Sequence, residues 1–270
     1  MIEVKNLRKS FDGVEVLKGI NTTFETGKVN LIIGQSGSGK TVFLKSLLNV
    51  FEPNEGHILF DGRDIVGMGR AEKEALRSEI GTVFQGSALF DSMTVQDNIM
   101  FPLDMFTNLT FTEKKKRVKE VIGRVHLENA EKKFPSEISG GMQKRVAIAR
   151  AIVNNPKYLF CDEPNSGLDP FTSNIIDDLI AEITEEYNTT SIMNSHDMNS
   201  VMTIGEKIVY LRKGIKEWEG TKDILITSDN KYLIDFVYSS ELFKELREYL
   251  ISNNKTSIEN NATKLEDESN

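Results

Sequence analysis

The chain has 270 residues, 39% hydrophobic and 27% charged, enough to bury a sizeable core as one large domain or two small ones. A net charge of -8 makes nucleic acid a poor partner, and no apolar run approaches the roughly 18 residues of a membrane span. The start, MIEVKNLRKSF, lacks the apolar stretch of a signal peptide, and Cys161, the single cysteine, cannot close an internal disulfide, so the reading is cytosolic.

Taken in chain order, residues 1–29 mix short alternating strands with turn signals at Asp12-Gly13 and Thr26-Gly27, which predicts an antiparallel β region. The apolar run VNLII, a glycine-rich turn and TVFLKSLLNV then make a βα unit. GHILFDG predicts a further strand and turn. From about Ala71 to Asn155 the periodicity predicts mostly helix, and the basic run in FTEKKKRVKEVIGRVHL reads as a solvated helix face. After Pro156 the α/β rhythm returns. KYLFCD is a buried strand, FTSNIIDDLIAEITEEY a helix, TTSIMNSHD a strand unusually polar for a core, and EKIVYLRKGIKEWEG a strand hairpin. YLIDFVYSSELFKELREYLI predicts a terminal helical segment. Residues 252–270 hold no aromatic and are rich in Asn, Ser, Glu and Lys, the composition of a disordered tail. The expected organisation is an α/β body over 1–237 with a helical insert at about 87–155, then a helical extension over 238–251 and the tail.

GQSGSGKT, Gly34 to Thr41, fits G-x-x-x-x-G-K-[ST] with an apolar strand before it and a helix after it. Gly34, Gly37 and Gly39 let the backbone curl so that the amides of Gln35, Ser36 and Ser38 and their neighbours can point at an anion, with the helix dipole behind them. In such a loop Lys40 reaches the β- and γ-phosphates and the Thr41 hydroxyl ligates Mg²⁺. YLFCDEP ends an apolar strand in Asp162-Glu163, where the first acid can hold Mg²⁺ and the second can take a proton from an attacking water. Gln85 and His196 each follow an apolar strand run, at the edge where open α/β sheets bind ligands, although a lone Gln or His also serves structure alone. Cys161 reads as packing, and His57 and His126 as surface or packing residues. Ser139-Gly140-Gly141 opens a helix with a capping serine and two glycines, which is either an ordinary cap or a second anion site.

These motifs stand in an order that resembles the ATP-binding subunits of ABC transporters: phosphate loop, glutamine at Gln85, signature Ser139-Gly140-Gly141, Asp162-Glu163, SGLDP from Ser166 to Pro170, then His196. The resemblance covers about residues 1–225 and implies a P-loop NTPase cassette of α/β class: a RecA-like core sheet, an N-terminal antiparallel β region and a helical insert. It further implies ATP and Mg²⁺ as ligands. Phe11 and Val16 would stand at the adenine, and Thr41, Gln85 and Asp162 at the metal. Glu163 and His196 would serve hydrolysis. Two subunits would pack head to tail, the signature of one capping the γ-phosphate held by the other, with Asp169 at the seam. The insert and the segment after Gln85 would meet an integral membrane permease, placing the subunit peripherally on the cytoplasmic face of the inner (cell) membrane.

The signature departs from the usual Leu-Ser-Gly-Gly-Gln, reading ISGGM, and Met142 cannot donate as Gln does. ISGGM with KRVAIARAI, and ALFDSMTVQDNIMFPL from Ala88 to Leu103, resemble the Mla-type ATPases that move phospholipid between membranes with an MCE-domain protein. DNKYLIDFVYSSEL resembles that group's C-terminal extension more loosely. The alternatives are an ABC ATPase for a small solute or peptide, and a soluble ABC-type regulator; one phosphate loop and no long coiled-coil insert speak against the latter. Asn194 sits in IMNSHD where that family commonly has an apolar residue.

Overall fold

The computed structural model of the chain describes residues 1–239, 244, 245 and 247–249. The tail expected at 252–270 and most of the extension expected at 238–251 lie outside those residues. Strands β1 (Ile2–Phe11) and β2 (Val14–Phe24) pair antiparallel across the Asp12-Gly13 turn. The apolar β3 (Val29–Ile33) runs into α1 (Lys40–Leu47). Next come β4 (Glu55–Phe60), the short β5 (Arg63–Asp64) and α2 (Arg70–Ser78).

Within the stretch whose periodicity predicts mostly helix, the apolar strand run before Gln85 forms β6 (Ile80–Val83), which pairs in parallel with a strand some eighty residues on. Four residues are too few for a period to declare itself. Three helices follow: α3 (Val95–Phe106), α4 (Phe111–Arg124) and, after a 3-10 turn at Pro135–Glu137, α5 (Gly140–Ile152). Thr94 and Thr110 cap the first two, each paired with an acid three residues on, Asp97 and Glu113. Then β7 (Tyr158–Asp162), α6 (Pro170–Tyr187), β8 (Thr190–Ser195) and α7 (Met198–Ile204) restore the α/β alternation. The chain closes with the hairpin β9 (Lys207–Arg212) and β10 (Ile215–Gly220), then α8 (Lys222–Thr227) and α9 (Lys231–Val237).

Two sheets result, one in the order β2-β1-β4-β5 and one in the order β10-β9-β3-β8-β7-β6. In the second, β9, β3, β8, β7 and β6 run parallel. Parallel strands are covered on both faces, which is why VNLII and YLFCD lack a polar face. Ile32, Phe160, Ile192 and Val209 pack towards α1 and the antiparallel sheet. Leu31, Ile33, Leu159, Cys161 and Met193 pack on the opposite side with α5 and α6. Each fully buried side chain of this kind contributes about 1.5–3 kcal/mol of transfer free energy. Cys161 is wholly buried there, and burial pushes its thiol far above the usual range, so it packs rather than reacts. No described helix is long and apolar enough to cross a membrane.

Because the strands are parallel, β3, β6, β7 and β8 all end on one edge of the sheet. The residues that follow them, Gly34–Thr41, Gln85, Glu163 and His196, therefore gather at that edge although they are scattered through the sequence.

Candidate functional site

The turn after β3 is dictated by sterics. Gly34 has φ of 152°, and a Cβ there would stand 2.3 Å from the Leu211 carbonyl oxygen, so no other residue allows this close approach. The loop curls round the Lys40 ammonium, which donates to the carbonyl oxygens of Gly34 at 2.8 Å and Gln35 at 3.3 Å. Burial pulls the Lys40 pKa down, while the nearby Glu163 and Asp162 carboxylates act in the opposite direction. A cavity of about 820 Å³ opens over the loop. Its lining includes Val16, Gln35, Ser36, Gly37, Gly39, Lys40 and Thr41 from this end of the chain, and Gln85, Glu163 and His196 from the other strand ends. Ser38, within the loop, is buried, with its hydroxyl lacking a hydrogen-bond partner among the described residues.

Glu163 leaves β7 with φ of 47°, left-handed for a residue that has a Cβ, while its N–H donates to the Asn194 carbonyl at 3.2 Å. Non-glycine residues in that region are strained by about 1–3 kcal/mol, and such strain clusters at ligand sites. The turn aims the carboxylate into the cavity. There Gln85 Nε2 donates to Oε2 at 3.1 Å, and His196 Nδ1 lies 3.2 Å from Oε1. One step back along the chain, Asp162 Oδ1 accepts from Asn194 Nδ2 at 2.8 Å. A threonine hydroxyl, one carboxylate and a glutamine amide offer oxygen donors only. That set suits Mg²⁺, which takes few protein ligands, keeps several waters and shares phosphate oxygens.

The signature stands elsewhere. Ser139 caps α5, its Oγ accepting from the Met142 N–H at 3.3 Å. A Cβ on Gly141 would come within 2.8 Å of Thr172 Cγ2, so glycine lets this helix end lie against the start of α6. Asp169 caps α6, accepting from the Thr172 N–H at 3.0 Å and its hydroxyl at 2.6 Å; these donors hold its carboxyl below the usual range. Ser139, Gly140, Gly141 and Asp169 thus share one edge of the molecule, and none of them lines the cavity. Ser139, Gly140 and Asp169 are exposed. Phe11 does not line the cavity either. Its ring meets Phe51 edge-on at 5.1 Å, with the Lys9 ammonium 4.9 Å from its centroid.

Sequence reasoning missed several residues. Phe236, in α9, lines the cavity and stacks on Tyr210 with centroids 5.2 Å apart. Its apolar spacing reads only as packing, because nothing local places α9 beside the phosphate loop. Lys144, buried in α5, donates to the Gln85 carbonyl oxygen, and Arg150 donates to those of Ser87 and Ala88 at 2.7 Å each. The signature helix thereby grips the segment after Gln85. Asn165 Nδ2 donates to both oxygens of the buried Asp177, at 3.3 and 3.4 Å, and to Ser200 Oγ at 2.9 Å, tying the turn before Asp169 to α6 and to the helix after His196. Only Asn194 left a trace in the sequence, as a polar residue in an apolar position.

A phosphate loop, an acid pair at the next strand end and a separate serine-glycine helix start, on this two-sheet frame, define an ATP-binding cassette: an ATPase whose ligands are ATP and Mg²⁺. The family model described as ABC transporter matches residues 17–166. The chain is 38% identical over 236 residues to the probable ribonucleotide transport ATP-binding protein mkl of Mycobacterium tuberculosis, spanning 87% of this chain and 66% of that one. It is 37% identical over 224 residues to the methionine import ATP-binding protein MetN 2 of Oceanobacillus iheyensis, spanning 82% and 65%. The chain thus spans just under two thirds of the length of these curated relatives. Among solved structures, the dimer of MJ0796, a bacterial ABC transporter cassette, superposes with a TM-score of 0.76 at 33% identity, covering 82% of this chain and 98% of that one. The same cassette has been solved as a post-hydrolysis dimer bound to ADP and Pi. This chain belongs to the ABC transporter family.

Proposed function

We propose that the chain is the ATP-hydrolysing subunit of a membrane transporter, working as a homodimer that closes around two ATP to drive an integral permease, with phospholipid moved between membranes as the cargo. One observation carries the mechanical part. The amide end of α5 is exposed at Ser139 and Gly140 and does not line the phosphate cavity of its own chain. A helix N-terminus of this kind favours an anion, and a second copy can bring one. The MJ0796 cassette, which is dimeric, supports the same pairing.

Within each site the loop amides and Lys40 would bind the β- and γ-phosphates, with Val16 on the adenine side. Stacking by Phe11 would use the part of its ring that Phe51 leaves exposed. Thr41, Asp162 and Gln85 would hold Mg²⁺, which neutralises charge on the phosphate oxygens. Glu163 would take the proton from the attacking water, a contribution of about 10²–10⁴-fold in rate. The Gln85 amide and His196, both now on that carboxylate, would orient it. ATP and ADP would differ in their hold on the pair, and that difference would move the permease.

An apolar groove beside Phe84, Phe90, Phe101, Met105 and Phe106 supports a permease partner and a peripheral place on the cytoplasmic face of the cell membrane. The cargo reading, with an MCE-domain protein as further partner, is supported by ISGGM and by Ala88 to Leu103, the segment next to that groove. A small-solute cargo is the second reading, favoured by the names of the two relatives, ribonucleotide transport and methionine import.

A gentle-detergent pull-down from native membranes, with mass spectrometry of proteins and lipids, separates these. A multi-span permease with an MCE-domain protein and bound phospholipid is the expected result. A permease with a small-solute binding protein would overturn the cargo, and the absence of any membrane partner would overturn the transporter reading.

A further inference from the structure

Asn194 is wholly buried in the central sheet, in register with Ile32 of β3 on one side and Asp162 of β7 on the other. Two residues earlier on each strand, Ile192 and Phe160 belong to the apolar core beneath α1. Valine or isoleucine at 194 would suit the pleat and leave no polar atom to satisfy. Instead the side chain donates to Asp162 Oδ1 at 2.8 Å, and its own Oδ1 has no hydrogen-bond partner among the described residues. The carboxylate dictates which end of the amide faces it, since only the NH₂ can donate. The unpartnered atom is therefore the carbonyl oxygen, kept at a free-energy cost that an apolar residue would not incur.

We propose that Asn194 is a positioning residue for the metal site. Its N–H holds Asp162 in one orientation, with the second carboxylate oxygen left for Mg²⁺. The inference rests on reading Asp162 as a Mg²⁺ ligand. Groups that hold a metal ligand in place are worth about 10–100-fold in metal affinity.

The test is calorimetric binding of ATP to the full-length chain, with EDTA and along a Mg²⁺ titration, for wild type, Asn194→Val and Asn194→Ser, with thermal midpoints alongside. Both variants are expected to bind metal-free ATP as wild type does, and to need about tenfold more Mg²⁺ to reach half of the metal-dependent change. The thermal midpoints establish that each variant is folded at the temperature of the titration. A half-saturating Mg²⁺ concentration within about twofold of wild type in the variants would overturn the role of Asn194. A wild type whose ATP binding does not respond to Mg²⁺ would overturn the underlying reading of Asp162 instead. Should Asn194→Val not fold, Asn194→Ser decides by the same threshold.

Discussion

Asp177 is 2% exposed and has no cation against it among the described residues; Asn165 and Ser200 are its hydrogen-bond partners. Burial pushes its pKa from an ordinary 3.8 up to about 6, with Asp197 and Asp178 adding repulsion and the bonds from Ser200 and Asn165 acting the other way. The native carboxyl therefore keeps its proton at pH values where the unfolded chain has released it. Below about pH 4 both states are protonated and this group leaves stability unchanged. As pH rises from about 4 to about 6 stability falls, and above about 6 the loss is complete, on the order of 3 kcal/mol from a shift of about two units. Asp177→Asn should raise the urea midpoint at pH 7 and leave it near wild type at pH 4. Equal midpoints at both pH values would show that the carboxylate is not strained by burial. The position is unusual because the same side chain joins the turn before Asp169 to the helix after His196, so the cost falls between two segments that the proposed cycle would move together.

At the scale of elements, α5 has two jobs at its two ends. Its N-terminus is exposed at Ser139 and Gly140, and its body grips the loop after Gln85 through Lys144 and Arg150. An event at the amide end can therefore reach the segment beside the apolar groove without passing through the cavity. Ser139→Arg places bulk and charge where a second copy's phosphate would sit. The isolated chain should bind ATP with a dissociation constant close to wild type, because its own cavity lacks this residue. Hydrolysis that depends on protein concentration should fall by on the order of 10²-fold, as for loss of a group that stabilises transferred charge. Loss of binding in the isolated chain would place the signature in its own site and sink the pairing. The sequence shows this helix and its cap clearly, since a serine at the cap and glycines after it are local signals. That α5 also reaches Gln85 is not legible, because Lys144 and Arg150 look like any charges on a helix until the fold buries them.

The whole molecule separates three surfaces: the phosphate cavity, the signature edge and the apolar groove. Met105 is 60% exposed and Phe84 42% in that groove, an arrangement that marks a binding surface rather than a core. Met105→Asp should leave ATP hydrolysis by the purified chain unchanged while reducing recovery of the permease in a pull-down by on the order of tenfold, as for a buried apolar anchor. Unchanged recovery would move the docking surface elsewhere.

The eight residues from Gly34 to Thr41 make their phosphate-binding turn through their own backbone, so a contiguous string was enough to declare it. The same holds for the helix caps at Ser139 and Asp169 and for the apolar strand that ends in Asp162. What these pieces do to one another was decided by the tertiary structure alone. Gln85 and Glu163 meet across 78 residues, and Asn194 reaches Asp162 across 32, because parallel strands stand in a particular register. Parallel pairing has no turn to announce it and no polar-apolar alternation to fix it, since the strands are covered on both faces. For the same reason only the folded chain sets Phe236 beside the phosphate loop and keeps the signature out of its own cavity: both depend on how distant elements pack, which no local stretch of sequence encodes.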